Sequence, residues 1–182
     1  MKRLILSAIA LVALAFTTQA YAQKNPMVGG AAMYANKDII DNAVNSKDHT
    51  TLVAAVKAAD LVSTLKGTGP FTVFAPTNAA FDKLPAGTVA TLVKPENKEK
   101  LTKILTYHVV AGKMDSKTIA AAIKKGNGKA ELTTVNGAKL TGWMKNGKLI
   151  LKDVNGGMST VTIADVMQKN GVIHVVDTVL MP

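Results

Sequence analysis

The 182-residue chain contains no cysteine. Disulfide staples, thiolate metal sites and a lipid anchor on an N-terminal Cys are therefore excluded, and stability has to come from packing. Arginine is absent after Arg3, so the 20 Lys and 12 acids from Gln23 onward give a formal charge of +8 carried on the basic side by Lys alone. Lys is a hydrated point charge, whereas planar bidentate recognition of phosphate or guanine belongs to Arg, so nucleic acid is excluded as an expected partner. Also missing are a Gly-rich run ending in Lys-Ser/Thr, a Gly-x-Ser-x-Gly elbow, a His-Glu-x-x-His helix and a carboxylate pair at a readable spacing. An exported hydrolase is thereby disfavoured, and no catalytic residue, cofactor or metal is expected.

The chain opens with Met1-Lys2-Arg3, an apolar run from Leu4 to Phe16, and Ala20-Tyr21-Ala22. That order predicts a signal peptide over 1–22 and export to the periplasm or beyond. Nothing later approaches the roughly 20 consecutive apolar residues that span a bilayer, so no transmembrane segment is expected in the mature chain. Pro26, Gly29 and Gly30 among small residues predict a flexible lead-in over 23–35. Residues 36–181 suffice for one domain with a substantial core, expected as a monomer or weak oligomer.

Helical periodicity marks Asn36–Val44, Leu52–Leu65, Pro85–Leu92 and Pro95–Leu105, and Ser116 is expected to cap Lys117–Lys125. His49, in the polar entrance to the second of these, is expected to be exposed or capping. Asn136-Gly137, Asn146-Gly147 and Asn155-Gly156 then recur about every ten residues, and Asn-Gly is preferred where a tight hairpin needs two positive φ angles. They predict a β-meander over 131–135, 138–144, 149–153 and 159–164. Val172–Leu180 is apolar on both faces, as a covered central strand would be, with His174 and Asp177 interrupting it. The order argues for an α+β fold with helices packed on antiparallel sheets.

Gly69-Pro-Phe-Thr-Val-Phe-Ala-Pro-Thr-Asn-Ala-Ala-Phe81 reads as a strand, a Pro stop and a helix capped from Thr77-Asn78. Together with Gly171-Val-Ile-His-Val-Val-Asp-Thr-Val-Leu-Met-Pro182 it resembles the two signature boxes of the fasciclin domain family. The resemblance covers nearly all of the mature chain. It implies an antiparallel β-sandwich or wedge with helices against it, in which Thr77, Asn78, Phe81, His174 and Asp177 are structural. It also implies a non-enzymatic extracellular adhesion module that meets a cell-surface or matrix protein or a polysaccharide.

In adhesive members of that family a Tyr-His pair with aliphatic flanks is associated with integrin binding, and Leu105-Thr-Tyr-His-Val-Val110 matches it. Tyr107 and His108 are thus candidate contacts, with core packing as the alternative. Trp143, the only Trp, falls opposite Leu140 and is either a core-edge ring or an exposed contact. His108 and His174 could meet an acid to hold a metal, yet neither shows ligand spacing. The competing function is a carrier of a small apolar ligand held between helices and sheet.

Overall fold

The computed structural model describes residues 25–182; the signal peptide expected over 1–22 lies outside the described residues. Two short strands fall within the stretch expected as a lead-in over 23–35. Strands β1 (Met27–Val28) and β2 (Ala31–Ala32) pair through a turn at Gly29 and Gly30, both at positive φ. Val28 and Met33 are buried, and that anchors the segment to the core.

Helix α1 (Ile39–Ala43) starts at Asp38, whose carboxylate accepts from the Asp41 amide at 2.8 Å. The single helix expected over 52–65 is two, α2 (Thr50–Ala58) and α3 (Val62–Lys66), because Asp60 takes a left-handed φ of 61°. Strand β3 (Phe71–Pro76) leads into α4 (Asn78–Phe81), α5 (Thr88–Leu92) and α6 (Lys98–Tyr107). Strand β4 (Val109–Ala111) follows, then α7 (Ser116–Lys125), capped by Asp115 and not by Ser116. The Asp115 carboxylate accepts from the Thr118 amide, while the Ser116 amide donates to Asp165.

The meander is β5 (Ala130–Thr133), β6 (Lys139–Lys145), β7 (Lys148–Lys152) and β8 (Met158–Gln168), and β9 (Gly171–Val176) ends the sheet. Seven strands run in the order β4-β3-β9-β8-β7-β6-β5. A bridge between Val110 and Thr134 brings the two ends of that order together, so the sheet nearly closes. All pairings are antiparallel except β3 with β9, which is parallel and in register from Phe71 with Gly171 to Pro76 with Val176.

Every residue of β9 is buried, as its apolar run predicts. Ile173 and Val175, with Val73 and Ala75 of β3, face a core completed by α1 to α6. Phe74 and Val176 face a second core holding Ile119 and Ile123 of α7 and Leu132, Leu140 and Leu151 of the meander. The two faces of one sheet thus organise two cores, the first helical and the second mostly sheet. Close approach of β3 to β9 needs Gly171, where a Cβ would fall 2.0 Å from the Phe71 carbonyl oxygen.

Candidate functional site

The Tyr-His turn lies where α6 passes into β4, and it is inside the protein. Tyr107 is 0% and His108 3% exposed. Apolar neighbours cover both rings, so of the two readings of the pair, surface contact or core packing, the burial fits core packing. The Tyr107 hydroxyl donates to the Lys139 carbonyl at 2.9 Å and accepts from the Val154 amide at 3.2 Å. His108 Nδ1 donates to the Ile104 carbonyl at 2.9 Å, which leaves Nε2 to accept from the Leu180 amide at 3.0 Å. Both nitrogens of a neutral imidazole are therefore used. Burial pushes the His108 pKa down, against the Ile104 carbonyl and the Asp153 carboxylate.

His174 is buried 66 residues further along and does not meet His108 in a shared ligand set. Its Nε2 donates to the Met114 carbonyl at 2.8 Å, its Nδ1 accepts from the Asp165 amide at 3.3 Å, and its ring stacks on Phe74. Burial lowers its pKa as well. Among the described residues, no three His, Asp or Glu side chains converge as a metal set.

The box after β3 is architectural. Thr77 Oγ1 accepts from the Ala80 amide, and Phe81 is buried. Asn78 reaches back 27 residues to accept from the Thr51 amide and donates to the Lys47 carbonyl, locking the entrance of α2 to that of α4. At the other box, Asp177 accepts from the Thr160 amide at 2.8 Å and from the Thr178 hydroxyl. Burial would raise its pKa, but those bonds and the Lys83 cation outweigh it and the net direction is down. Asp153 does similar work, accepting from the Asn155, Gly157 and Met181 amides.

His49 is buried and not exposed; it does stand at the N-cap position of α2, although its side chain makes no capping bond. Nδ1 bonds to the Ser46 hydroxyl at 2.8 Å, and Nε2 makes no hydrogen bond. The Ala75 carbonyl is near enough to favour protonation without accepting in a well-formed bond, and burial dominates, so the pKa is lowered. The ring borders an apolar cavity of about 80 Å³ between the helices and the sheet, walled by Val28, Ile40, Leu52, Val56, Val73 and Ile173. This is about half the roughly 150 Å³ that suffices for benzene in an engineered cavity.

Trp143 is half-buried on β6, paired across β7 with Ile150, and neither belongs to either core. It sits on the outer face of the meander, because Leu140 and Gly142 on one side alternate with Thr141 and Trp143 on the other. α7 covers the inner face through Ile119 and Ile123. Among the described residues no helix is long and apolar enough to cross a membrane.

Comparison with known proteins places these features. The family model described as "Fasciclin domain" matches residues 47–182. "Protein sll1483" of Synechocystis is 49% identical over 160 residues, covering 88% of this chain and 82% of the relative. The "Cell surface glycolipoprotein MPB83" of Mycobacterium bovis is 38% identical over 89% of this chain and 69% of its own length. The "Immunogenic protein MPB70" of the same species is 36% identical over 89% and 78%. Among solved structures, a domain pair from the insect cell adhesion molecule Fasciclin I aligns with a TM-score of 0.70 at 19% identity. It covers 80% of this chain, and the chain spans about half of that pair (51%).

Proposed function

Because this chain belongs to the fasciclin domain family, we propose that it is a non-enzymatic binding module, exported under the leader at 1–22, that engages a cell-surface or matrix component. The observation that carries this reading is that the chemistry-bearing side chains of the two boxes, the Tyr-His turn and the end of β7 are consumed internally. His108, His174, Asn78, Asp153 and Asp177 all hold backbone amides or carbonyls of distant segments. Such residues serve the architecture, and the Ser46 hydroxyl, which does lie beside the His49 imidazole, is buried with it away from any substrate. The cell-surface relative and the adhesion-molecule fold support the same direction.

The test is retention of the full mature chain on surface extract and polysaccharide from its own source, washed at low and then at high salt. A specific module keeps a partner at high salt, since contacts made with desolvated groups survive screening that removes long-range attraction. Complete loss at high salt would overturn the reading.

A second reading, a carrier of a small apolar ligand, is favoured by the unpaired His49 Nε2 on the cavity wall. It requires the helices to part from the sheet, because the resting cavity is about half the size that admits benzene. An apolar body with one hydrogen-bonding group would fill the space and satisfy the imidazole. Organic extraction of the purified protein followed by mass spectrometry tests it: one compound near equimolar amount supports the carrier, and none sinks it.

A further inference from the structure

The positive charge is not spread evenly. Residues 100–152 hold 11 Lys and 2 acids, a formal +9, while the remainder from Gln23 holds 9 Lys and 10 acids, a formal −1. All the net charge of the mature chain therefore belongs to the stretch from mid-α6 through the meander. Within that stretch the β6–β7 hairpin adds a more particular feature. Its register sets Lys145 directly opposite Lys148 across the Asn146-Gly147 turn. Like charges facing each other across an antiparallel pair destabilise it.

Neither Lys has a carboxylate partner among the described residues, and neither does Lys152, whereas Lys139 is paired with Glu131. Going up the outer face of the hairpin from its tip, the rows are Lys145 with Lys148, Trp143 with Ile150, then Thr141 with Lys152. The neighbouring strand adds Thr160 beside Ile150 and Met158 beside Lys152. The face therefore carries one aromatic ring set between cations above and below, with hydroxyls alongside. Nothing in either core covers it.

From this juxtaposition we propose that the outer face of the β6–β7 hairpin binds an acidic polysaccharide, a deepening of the binding-module reading on which it rests. A sugar ring stacks its C–H face on the Trp143 indole, Thr141 and Thr160 meet its hydroxyls, and carboxylates along the polymer sit between Lys145 and Lys148 and against Lys152. The anion relieves a repulsion that the free hairpin has to tolerate. Lys supplies a point charge on a flexible stem, which a carboxylate on a mobile polymer can meet without a fixed bidentate geometry. One half-buried Trp, one Ile and the exposed Met158 on a pleated sheet lack the continuous apolar face of an interfacial helix and offer little surface to anchor in a bilayer.

The experiment uses the full mature chain in affinity electrophoresis through polygalacturonate, with neutral dextran as the blank and anionic phosphatidylglycerol vesicles in a parallel sedimentation assay. Retardation by polygalacturonate and not by dextran is expected. Trp143→Ala should weaken it at least about fivefold at unchanged charge, and Lys145→Glu with Lys148→Glu at least about tenfold. Lys57→Glu with Lys94→Glu, the same charge change on the helical half, should stay within about twofold. Single Lys148→Glu should weaken binding while raising the unfolding midpoint, a pairing of effects that general loss of structure would not give.

Equal loss in the Lys57/Lys94 variant, no effect of Trp143→Ala, or tighter capture by the vesicles than by polygalacturonate overturns the proposal. So does a surface partner that the Trp143 and Lys145/Lys148 variants still retain at high salt, although the module reading then stands. Failure of the parent to retain any surface partner removes that reading itself.

Discussion

His108 and Leu180 lie 72 residues apart in the chain, and the Leu180 amide donates to His108 Nε2 at 3.0 Å. The Nδ1 proton of the same ring goes to Ile104, so a cationic ring would have to surrender the Leu180 bond. The closing segment of the protein is thus held by a neutral imidazole.

That coupling makes stability depend on pH. His49, His108 and His174 all have folded pKa values pushed below the ordinary 6.5 by burial. The unfolded chain therefore binds more protons as pH falls below 6.5, so stability is full above that value and is lost on acidification through it. Each ring contributes up to about 1.4 kcal/mol per pH unit below that point. Asp41, Asp115 and Asp177 have pKa values depressed below 3.8 and lose their contribution only at lower pH, which leaves the range from 6.5 to about 4.5 to the histidines. Urea midpoints at pH 8, 6 and 5 should fall in that order, and His108→Gln should flatten the fall. A midpoint indifferent to pH across this range would contradict the neutral-imidazole account.

Tyr107→Phe keeps the ring and deletes a hydroxyl that serves Lys139 and Val154 at once. Leaving those groups unpaired should cost about 1–3 kcal/mol in chemical denaturation. Since the ring is buried, capture of a surface partner should not change. A variant of parental stability with weakened capture would restore Tyr107 as a contact.

Thr77→Ala removes one cap and should cost about 1 kcal/mol. Asn78→Ala should cost more, about 2 kcal/mol, because the amide also ties α4 to the Thr51 amide and the Lys47 carbonyl. Thermal melts of the two variants give the order directly; the reverse order would mean that Asn78 is not the link between the two helix entrances.

Gly171→Ala places a methyl 2.0 Å from the Phe71 carbonyl oxygen in the central pairing. Backbone on both sides has to move, so a loss at or above about 3 kcal/mol is expected. Gly147→Ala, at a φ of 75° with open space around it, should cost only about 1 kcal/mol. Equal losses at the two positions would argue that β3 and β9 move apart to admit the methyl at little cost.

Elements with a local cause were legible in the sequence. The three Asn-Gly turns fall between β5 and β6, β6 and β7, and β7 and β8, and Thr77 caps as its side chain suggests. What depends on distant partners was not. Asp60 breaks a helix that periodicity continues, and Asp115 takes a cap expected of Ser116, which is drawn away by Asp165. Asn170 gives no signal in its own neighbourhood, yet it accepts from the Ile39 amide and donates to the Leu65 and Gly67 carbonyls, joining α1 to α3. The Tyr107-His108 pair looks the same in sequence whether its rings turn outward or in. The outer face of the hairpin was legible only through Trp143, because the opposition of Lys145 and Lys148 appears once register is known.

The parallel pairing of β3 with β9 joins residues about a hundred positions apart, and β9 is made after the other strands of the sheet. Until it is inserted, β3 and β8 have no neighbour between them, and both cores lack the wall they share. A nascent chain is therefore unable to complete its folding segment by segment, and pairings at such separation form slowly. The polypeptide stays open until β9 has been made, a long interval in which a chaperone can hold it extended.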